Sequence, residues 1–448
     1  MKITKIEIKD FHQFKDFSLD LTYPKGHTKE GQPLDKVCFI GQSGTGKTTL
    51  LELIPTFIVT YETNLILKTG KQKLIRNVQM TIAFGNSNEY SMDVNLIKQV
   101  DFLEIIDRVA TSKTLTIQEV QELIKFYERN WTTEIASKPI YFPANLNYEI
   151  EVDKENTLDS KAIIDFSKDK VSSVWNLILD EIQKYQEQEL QIRQEISKTV
   201  EQSSNDLDTI KNALKKLEDW KKTEFNPIQD VADNCLDKLL AHFKLRVKTE
   251  LDIKSKEEIG FIKIEDFAKN EIPYGLWSTG TKQVVLSALP FYRLKPKHTV
   301  ILFDEPERSL YPDLQRIIVD FYSSLTDSCQ FFYSTHSPII ASSFEPWEIV
   351  ELKFNTEGNI YRELYYEGEN HIDNYKWNPR LMRWDDILQR IFDLENDGSP
   401  ERKIELDKLA TYNIRYRKLD KQGKGDSTEA KEILEHIDKL SKALSYWD

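Results

Sequence analysis

The first hundred residues alternate between apolar and polar side chains with the two-residue period of half-buried strands. Ile6 and Ile8 begin the pattern, and residues 17–21 continue it. Further alternating positions lie on either side of the turn 85–89, at Val78, Met80, Ile82, Phe84, Tyr90, Met92, Val94 and Leu96. Because a polar turn joins these last two runs, they predict an antiparallel hairpin.

Four other runs are mainly apolar, which is typical of strands buried on both faces of a parallel sheet. They cover residues 37–40, 139–146, 299–303 and 331–333. The first of them leads into a glycine loop and then into a helical pattern with Leu50, Leu51, Leu53 and Ile54 on its apolar positions. These runs predict an α/β core.

Residues 172–250 are rich in Gln, Glu, Lys and Leu, with apolar positions at alternating three- and four-residue steps. A polar break at 203–206 separates two such seams. They predict an antiparallel helical hairpin with about 25 residues, or roughly 35 Å, in each arm. Two helices packed on the body of the protein would give the same pattern, and both interpretations remain open.

The chain of 448 residues has a net charge of −13, so nucleic-acid contact would need a local basic patch. Its three cysteines lie far apart, which suits a reducing compartment and provides neither a disulfide framework nor a zinc site. The N-terminus lacks the apolar stretch of a secretion signal, and no run approaches the roughly 18 apolar residues of a membrane span. We therefore expect a cytoplasmic protein with no membrane partner.

Residues 41–48 fit the phosphate-loop pattern G-x-x-x-x-G-K-[ST] between a predicted strand and a predicted helix. In such a loop, backbone N–H groups surround phosphate oxygens, the lysine reaches the terminal phosphates and the hydroxyl ligates Mg²⁺. The candidate nucleotide-binding residues are Gly41, Gln42, Ser43, Gly44, Thr45, Gly46, Lys47, Thr48 and Thr49. A nucleotide and Mg²⁺ are the expected substrate and cofactor, with Thr48 as a metal ligand; the resemblance given below implies that the nucleotide is ATP.

Polar groups follow two of the buried strands. Asp304 and Glu305 end the run 299–303; we expect Asp304 to hold the Mg²⁺ and Glu305 to orient or deprotonate the attacking water. His336 follows the run 331–333, where an imidazole can donate a hydrogen bond to the γ-phosphate. A Ser-His-Asp hydrolase is excluded, because the chain has no G-x-S-x-G elbow. Glu305 and His336 are therefore the candidate catalytic residues.

A serine-glycine turn precedes another predicted helix with an apolar face. Ser278, Thr279 and Gly280 combine hydroxyls, a bare glycine and a helix N-terminus, which together form an anion site. The same letters also suit an ordinary N-cap and turn. The order of this turn, a few tens of residues before the acidic strand, favours a role in binding nucleotide.

In this order, the four segments resemble those of ABC-type ATPases. The patterns SxGTxQ, DEPE-x-SLxP and THSP are most similar to the branch of the overcoming-lysogenisation (OLD) ATPases and the AAA-15 and AAA-21 groups. Thr279 and Thr281 depart from transporter signatures, and Tyr311 stands where many members of the branch have His. Gln79 and Gln99 are both candidates for the glutamine that couples Mg²⁺ to the helical lobe.

The resemblance implies that the serine-glycine turn of one subunit closes over ATP bound to another, so that two chains form a self-complementary dimer. Ser309 and Leu310 would then lie at the seam between the chains. Whether such dimers stack into larger assemblies remains open.

The OLD nucleases carry a TOPRIM domain, marked by an apolar strand ending in Glu-Gly and a later Asp-x-Asp. Glu367 and Gly368 supply only the first half of that mark, so we expect an ordinary hairpin at 350–367 in place of a nuclease centre. The chain then resembles the stand-alone ATPases of anti-phage defence, the PtuA family of Septu and retron-Septu systems and the AriA family of PARIS systems. This resemblance implies a separately encoded effector nuclease as partner.

Direct action on DNA, as in repair and recombination ATPases, remains an alternative. Two basic clusters are candidate nucleic-acid contacts or simply solvated surface: Lys68, Lys71, Lys73 and Arg76, and Arg415, Arg417, Lys418 and Lys421. The aromatic residues of the tail suit either a docking surface or a small helical core: Trp377, Trp384, Tyr412, Tyr416 and Trp447. Residues 421–431 read as a polar loop.

The expected architecture is an α/β ABC-ATPase head, with a mixed sheet around the phosphate loop and an antiparallel β subdomain. An inserted helical or coiled-coil hairpin and an α-rich C-terminal tail complete it. The predicted segments are an N-terminal lobe at 1–150, the helical insertion at 151–260, a C-terminal lobe at 261–355, and a hairpin with a helical region for partner docking at 356–448.

Overall fold

The computed structural model describes residues 2–62, 78–83, 91–92, 135–149, 158, 163–202, 207–250, 261–364, 378–394 and 398–444. The chain forms two compact units, Met1–Met382 and Arg383–Asp448. The predicted hairpin turn, the break at 203–206, the first basic cluster, Gln99, Glu367, Gly368, Trp377 and Trp447 lie outside the described residues. The four-segment division stays a prediction.

The first unit is built on a mixed sheet whose described strands number eleven. In space they follow the order β5-β4-β1-β2-β14-β13-β3-β12-β11-β6-β7, and a separate sheet has the order β10-β9-β8. The bounds in chain order are β1 Lys2–Phe11, β2 Phe14–Asp20, β3 Lys36–Gly41, β4 Val78–Ala83, β5 Ser91–Met92, β6 Ile140–Phe142, β7 Ile164–Asp165, β8 Leu245–Val247, β9 Ile264–Asp266, β10 Glu271–Ile272, β11 Val300–Asp304, β12 Gln330–Ser334, β13 Ile349–Phe354 and β14 Ile360–Glu363.

The centre of the large sheet is parallel. Strand β3 pairs with β12 and β13, and β11 pairs with β12 and β6, all in the same direction. Every residue of β11 and β12 is buried, as their continuous apolar runs predict. Strand β6 is shorter than the predicted 139–146, because Pro143 has no N–H to continue the ladder. The carboxyl ends of β3, β11 and β12 therefore meet at one edge.

The antiparallel part joins this core through β14, which runs parallel to β2 and antiparallel to β13. Strands β1 and β2 pair with Ile6 opposite Leu19 and Ile8 opposite Phe17, and all four side chains are buried. Strands β4 and β5 are antiparallel with Ile82 opposite Met92, as predicted for the described part of that hairpin. The mixed α/β fold class is thus confirmed.

The helices lie between and beyond these strands. In chain order they are α1 Lys47–Glu62, α2 Val171–Gln202, α3 Leu207–Thr223, α4 Pro227–Val231, α5 Asp237–Leu240, α6 Thr279–Leu294, α7 Pro312–Ser324, α8 Pro338–Ala341, α9 Trp384–Arg390, α10 Pro400–Lys421 and α11 Thr428–Leu444. Short 3₁₀ segments cover Ile135–Ser137, Ala241–Phe243, Tyr274–Leu276, Pro346–Glu348 and Pro379–Leu381, and Ala232–Leu236 is a π-helical turn. None of the described helices has the length and apolar character needed to cross a membrane.

The inserted helices α2 and α3 have unequal arms of 32 and 17 residues, unlike the equal arms expected. The buried residues of α2 end at Tyr185, and α3 has none. Tyr185 stacks on Trp220 at 4.9 Å between ring centroids, and Lys221 pairs with Glu189 at 2.8 Å. The two interpretations left open each describe one part of the insertion: the first half of α2 packs on the body, and the rest forms a two-helix arm.

The second unit is helical, and its buried apolar side chains are few among the residues described: Ile387, Ile391, Ala430 and Ile433. Tyr412 stacks on His436 at 5.2 Å between ring centroids. The expected loop 421–431 is wrong in its second half, because α11 begins at Thr428. The Ser427 hydroxyl accepts a hydrogen bond from the Ala430 N–H at 3.2 Å, so a polar sequence supplies a helix cap there.

Candidate functional site

The phosphate loop connects β3 to α1, as the sequence pattern predicts. Its lysine is nearly buried and donates to two carbonyl oxygens of its own loop, Gly41 O at 2.9 Å and Gln42 O at 3.0 Å. Burial lowers the pKa of Lys47, while the nearby Glu305 and Asp304 carboxylates act in the opposite direction. Lys47 is thus a desolvated cation that a triphosphate could neutralise.

Glycine is required at the end of this loop for two reasons. Gly46 has a φ of +78°, a left-handed conformation that disfavours any other residue. A Cβ atom there would also lie 2.5 Å from Phe14 Cζ and 2.9 Å from Ile360 Cδ1. The neighbouring strands β2 and β14 therefore press directly against the phosphate loop.

The two predicted metal ligands are adjacent. The Thr48 hydroxyl donates to the Asp304 carboxylate, at 2.9 Å from Oδ2. Burial raises the pKa of Asp304, although the Thr48 hydrogen bond acts in the opposite direction. A hydroxyl and a carboxylate side by side fit Mg²⁺, which takes one or two protein oxygens together with substrate phosphates and water. No group of three or more acidic, His or Cys side chains suited to a metal occurs among the described residues.

Glu305 lies one residue beyond strand β11 with a φ of +48°, in the left-handed region. Its N–H donates to the Ser334 carbonyl at 2.8 Å, which extends the pairing between β11 and β12 by one residue. This fixed backbone directs the carboxylate into the cleft beside the phosphate loop. Strained backbone of this kind is common at functional sites.

His336 faces the same cleft from the end of β12. Its backbone N–H donates to Glu307 Oε1 at 3.0 Å. Desolvation lowers the pKa of His336, and the Lys47 ammonium lowers it further, so both favour the neutral imidazole. A neutral imidazole can donate one hydrogen bond to a phosphate oxygen.

The cleft has a volume of ≈ 750 Å³, within the range of pockets that hold small ligands. Its described lining combines predicted residues with four that the sequence did not single out: Ser43, Gly44, Gly46, Lys47, Thr48, Thr49, Glu305 and His336, and in addition His12, Gln13, Phe14 and Ile360. His12 and Gln13 form the β1–β2 turn, Phe14 begins β2 and Ile360 begins β14. The Ile360 N–H donates to Gln13 O at 2.7 Å. The sequence predicted strands in these regions, but it did not predict that these residues line the cleft.

Gly41, Gln42 and Thr45 are the loop residues not among the described lining of the cleft. Thr45 is buried beneath the loop, and its hydroxyl donates to Gln42 O at 2.7 Å. A Cβ atom on Gly41 would lie 2.3 Å from Leu352 O, so the close approach of strand β13 requires glycine at position 41. Thr45 and Gly41 therefore shape the loop through their contacts with Gln42 O and with strand β13.

The serine-glycine turn begins α6, but it is not part of this cleft lining. Ser278 caps the helix, with its hydroxyl accepting from the Thr281 N–H at 3.0 Å. Ser278 and Thr279 are exposed, whereas Gly280 is buried. Gly280 packs against the backbone of Ser309, because a Cβ atom on Gly280 would lie 2.6 Å from Ser309 O. The turn thus places the exposed residues Ser278 and Thr279 at the protein surface beside Ser309.

Two further predicted positions are placed as follows. Gln79 lies in β4 opposite Glu7, and Tyr311, 70% exposed, caps α7 without a side-chain hydrogen bond. A second cavity of ≈ 390 Å³ lies between the middle of α2 and the end of α6, with Tyr185 and Arg293 in its lining. No predicted catalytic or nucleotide-binding residue lines this second cavity among the residues described.

Comparison with known proteins places these features in a family. The model of the AAA ATPase domain family, AAA_15, matches residues 1–341. No curated protein matches the chain.

Among solved structures, an Smc head bound to the C-winged helix domain of ScpA aligns at 12% identity with a TM-score of 0.42, covering 81% of this chain and 97% of that one. The Smc head from Thermotoga maritima aligns at 10% identity and 0.36, covering 81% and 98%. An Smc head with an extended coiled coil, bound to the C-terminal domain of ScpA from Pyrococcus furiosus, aligns at 13% and 0.36, covering 81% and 95%. Because the family match covers 341 of the 448 residues, the chain belongs to the AAA ATPase domain family.

Proposed function

We propose that this ATPase completes its active site only when two copies face each other, with the serine-glycine turn of each copy touching the ATP bound by its twin. The observation that carries the proposal is the position of that turn. Ser278 and Thr279 present exposed hydroxyls at a helix N-terminus, a geometry suited to an anion, yet they are not among the described residues of the cleft in the same chain.

The predicted polar groups at the cleft then have distinct roles in hydrolysis. The phosphate loop and Lys47 bind the β- and γ-phosphates, and Thr48 with Asp304 would hold Mg²⁺, which neutralises developing charge on the phosphates when bound. Glu305 accepts a proton from the attacking water. His336 donates to the γ-phosphate, and its contact is lost after hydrolysis.

We further propose that the ATP cycle controls a separately encoded nuclease in an anti-phage defence system. This rests on the resemblance of the sequence patterns to such systems. Strands β13 and β14 form an antiparallel pair over the described part of the hairpin that we expect in place of a nuclease centre. The effector would bind the second unit or the two-helix arm, both rich in exposed apolar side chains such as Leu190, Leu207 and Ile414.

The alternative, direct action on DNA, has its basis in the two-helix arm and in the second basic cluster. Within that cluster Arg415 already pairs with Glu429 at 2.6 Å, which reduces the charge available to a phosphate backbone. A many-fold stimulation of ATP turnover by bare duplex DNA, lost at high salt, would favour this alternative.

Light scattering tests the dimer directly. We expect the molar mass to double when ATP and Mg²⁺ are added, and Ser278→Arg to remain monomeric because a bulky cation displaces the shared phosphate contact. Ser197→Arg is the matched control, since Ser197 is exposed on the two-helix arm far along the chain from the turn. A mass that does not change with nucleotide in the unmodified protein would refute the proposal.

A further inference from the structure

The turn after strand β11 contains a third carboxylate that the proposed chemistry does not use. Glu307 follows Asp304 by three residues, and it is absent from the described lining of the cleft. Its Oε2 atom is buried and has no hydrogen-bond partner among the described residues. Burial accordingly raises the pKa of Glu307. Burying a carboxylate costs free energy unless hydrogen bonds or an ion pair replace the lost contacts with water.

The other oxygen of this carboxylate holds the segment that carries the histidine. Glu307 Oε1 accepts from the Thr335 hydroxyl at 2.6 Å and from the His336 backbone N–H at 3.0 Å. Thr335 Oγ1 in turn accepts from the Ser337 N–H at 2.9 Å. Glu307 Oε1 thus holds Thr335 and His336 directly, and Ser337 through Thr335, just after β12 where the imidazole enters the cleft.

A second contact ties the same two turns together. The Ser337 hydroxyl donates to Gln315 Oε1 at 2.6 Å, and Gln315 Nε2 donates to Leu310 O at 2.8 Å. The segment 307–310 and the segment 335–337 are therefore joined at both ends. We therefore expect a displacement of His336 to displace Ser309 and Leu310 as well, and Ser309 contacts the serine-glycine turn at Gly280.

We propose that Glu307 is a positioning residue, which holds His336 at the distance from the γ-phosphate that hydrolysis requires and ties it to the 309–310 segment. The inference rests on the proposed ATPase function. It assigns Glu307 no contact with nucleotide or metal. What the site requires is an acceptor atom at the place of Oε1, whether or not the side chain is charged.

Two conservative substitutions separate position from charge. Glu307→Gln removes the charge but keeps an oxygen that can accept both hydrogen bonds, and its amide replaces the unpaired Oε2. Glu307→Asp keeps the charge but withdraws the acceptor by one methylene. If Glu307 positions His336, Glu307→Gln should keep ATP hydrolysis and Glu307→Asp should lower it. If Glu307 transfers a proton or binds the metal, Glu307→Gln should lower hydrolysis.

The experiment measures steady-state ATP hydrolysis and hydrogen–deuterium exchange of a peptide spanning 331–341 in the nucleotide-free protein. For Glu307→Asp we expect kcat to fall by about tenfold or more with KM changed by less than about threefold, because small misplacements of a catalytic group are costly. Exchange of the His336 amide should be faster. Glu307→Gln should stay within about threefold of the unmodified protein in both readouts. Glu195→Gln, exposed on the two-helix arm, is the matched control.

The outcomes distinguish this inference from the function on which it rests. If Gln lowers kcat as much as Asp does, or if Asp leaves both kcat and amide exchange unchanged, the positioning role is refuted while ATP hydrolysis stands. If the unmodified protein hydrolyses no ATP, the proposed function fails, and the exchange measurement alone then decides whether Glu307 holds the segment.

Discussion

Glu305→Gln is expected to slow ATP hydrolysis by about 10²–10³-fold while ATP stays bound and the dimer persists. Glutamine has almost the shape of glutamate but cannot accept a proton from water. The backbone of residue 305 is fixed by its hydrogen bond to Ser334, so the amide should occupy the same place in the cleft. Phosphate release gives the rate, and filter retention of labelled ATP gives the bound fraction.

Glu195→Gln is the control for this substitution, because it makes the same chemical change at an exposed helical position. Its turnover and its ATP retention should equal those of the unmodified protein. Unchanged hydrolysis in Glu305→Gln would remove Glu305 from the chemistry. The water would then need another base, and the left-handed backbone at residue 305 would need another explanation.

Lys47→Ala should weaken ATP binding by about tenfold to 100-fold, the range expected for losing a charge-assisted hydrogen bond. Without nucleotide the ammonium is buried against two carbonyl oxygens, so the triphosphate is its natural counterion. The nucleotide-free protein should keep its melting temperature, because the substitution removes a desolvated charge. It should lose the rise in melting temperature that ATP gives the unmodified protein.

Lys198→Ala on the two-helix arm is the matched control, since that lysine is exposed. Isothermal titration calorimetry measures the affinity, and a thermal shift assay measures the stabilisation by ATP. Retained affinity in Lys47→Ala would mean that the loop between β3 and α1 does not bind phosphate.

The phosphate loop and the ends of β11 and β12 could be predicted because each lies within a short local pattern. A buried apolar run fixes a parallel strand, and parallel neighbours bring their carboxyl ends to one edge. Thr48 and Asp304, 256 residues apart in the chain, therefore meet as expected. What they do with a nucleotide stays a prediction.

The wall of the cleft opposite Lys47 could not be predicted in this way. His12 and Gln13 reach it because β2 pairs with β14, a contact between residues more than 300 positions apart. Alternation along a strand shows which face is buried, but it does not show which other strand lies beside it. The approach of Phe14 to Gly46 depends on the same pairing.

The helical regions show the limits of composition. The seams of α2 and α3 indicated two helices but not their lengths, because apolar positions on the exposed arm are spaced like those that are buried. At the start of α11, a polar run that reads as loop contains its own cap at Ser427. A cap is recognised only when the helix that follows it is known.

The most direct test of the central claim, that two chains build each active site, mixes Lys47→Ala with Ser278→Arg. Each variant alone should hydrolyse little ATP. In a mixed dimer, the intact phosphate loop of one chain faces the intact turn of the other, which restores one of the two sites. Because neither variant is expected to dimerise with itself, an equimolar mixture should recover up to about half of the unmodified rate. A mixture no more active than the sum of its two components would contradict the account, because every catalytic group would then come from a single chain.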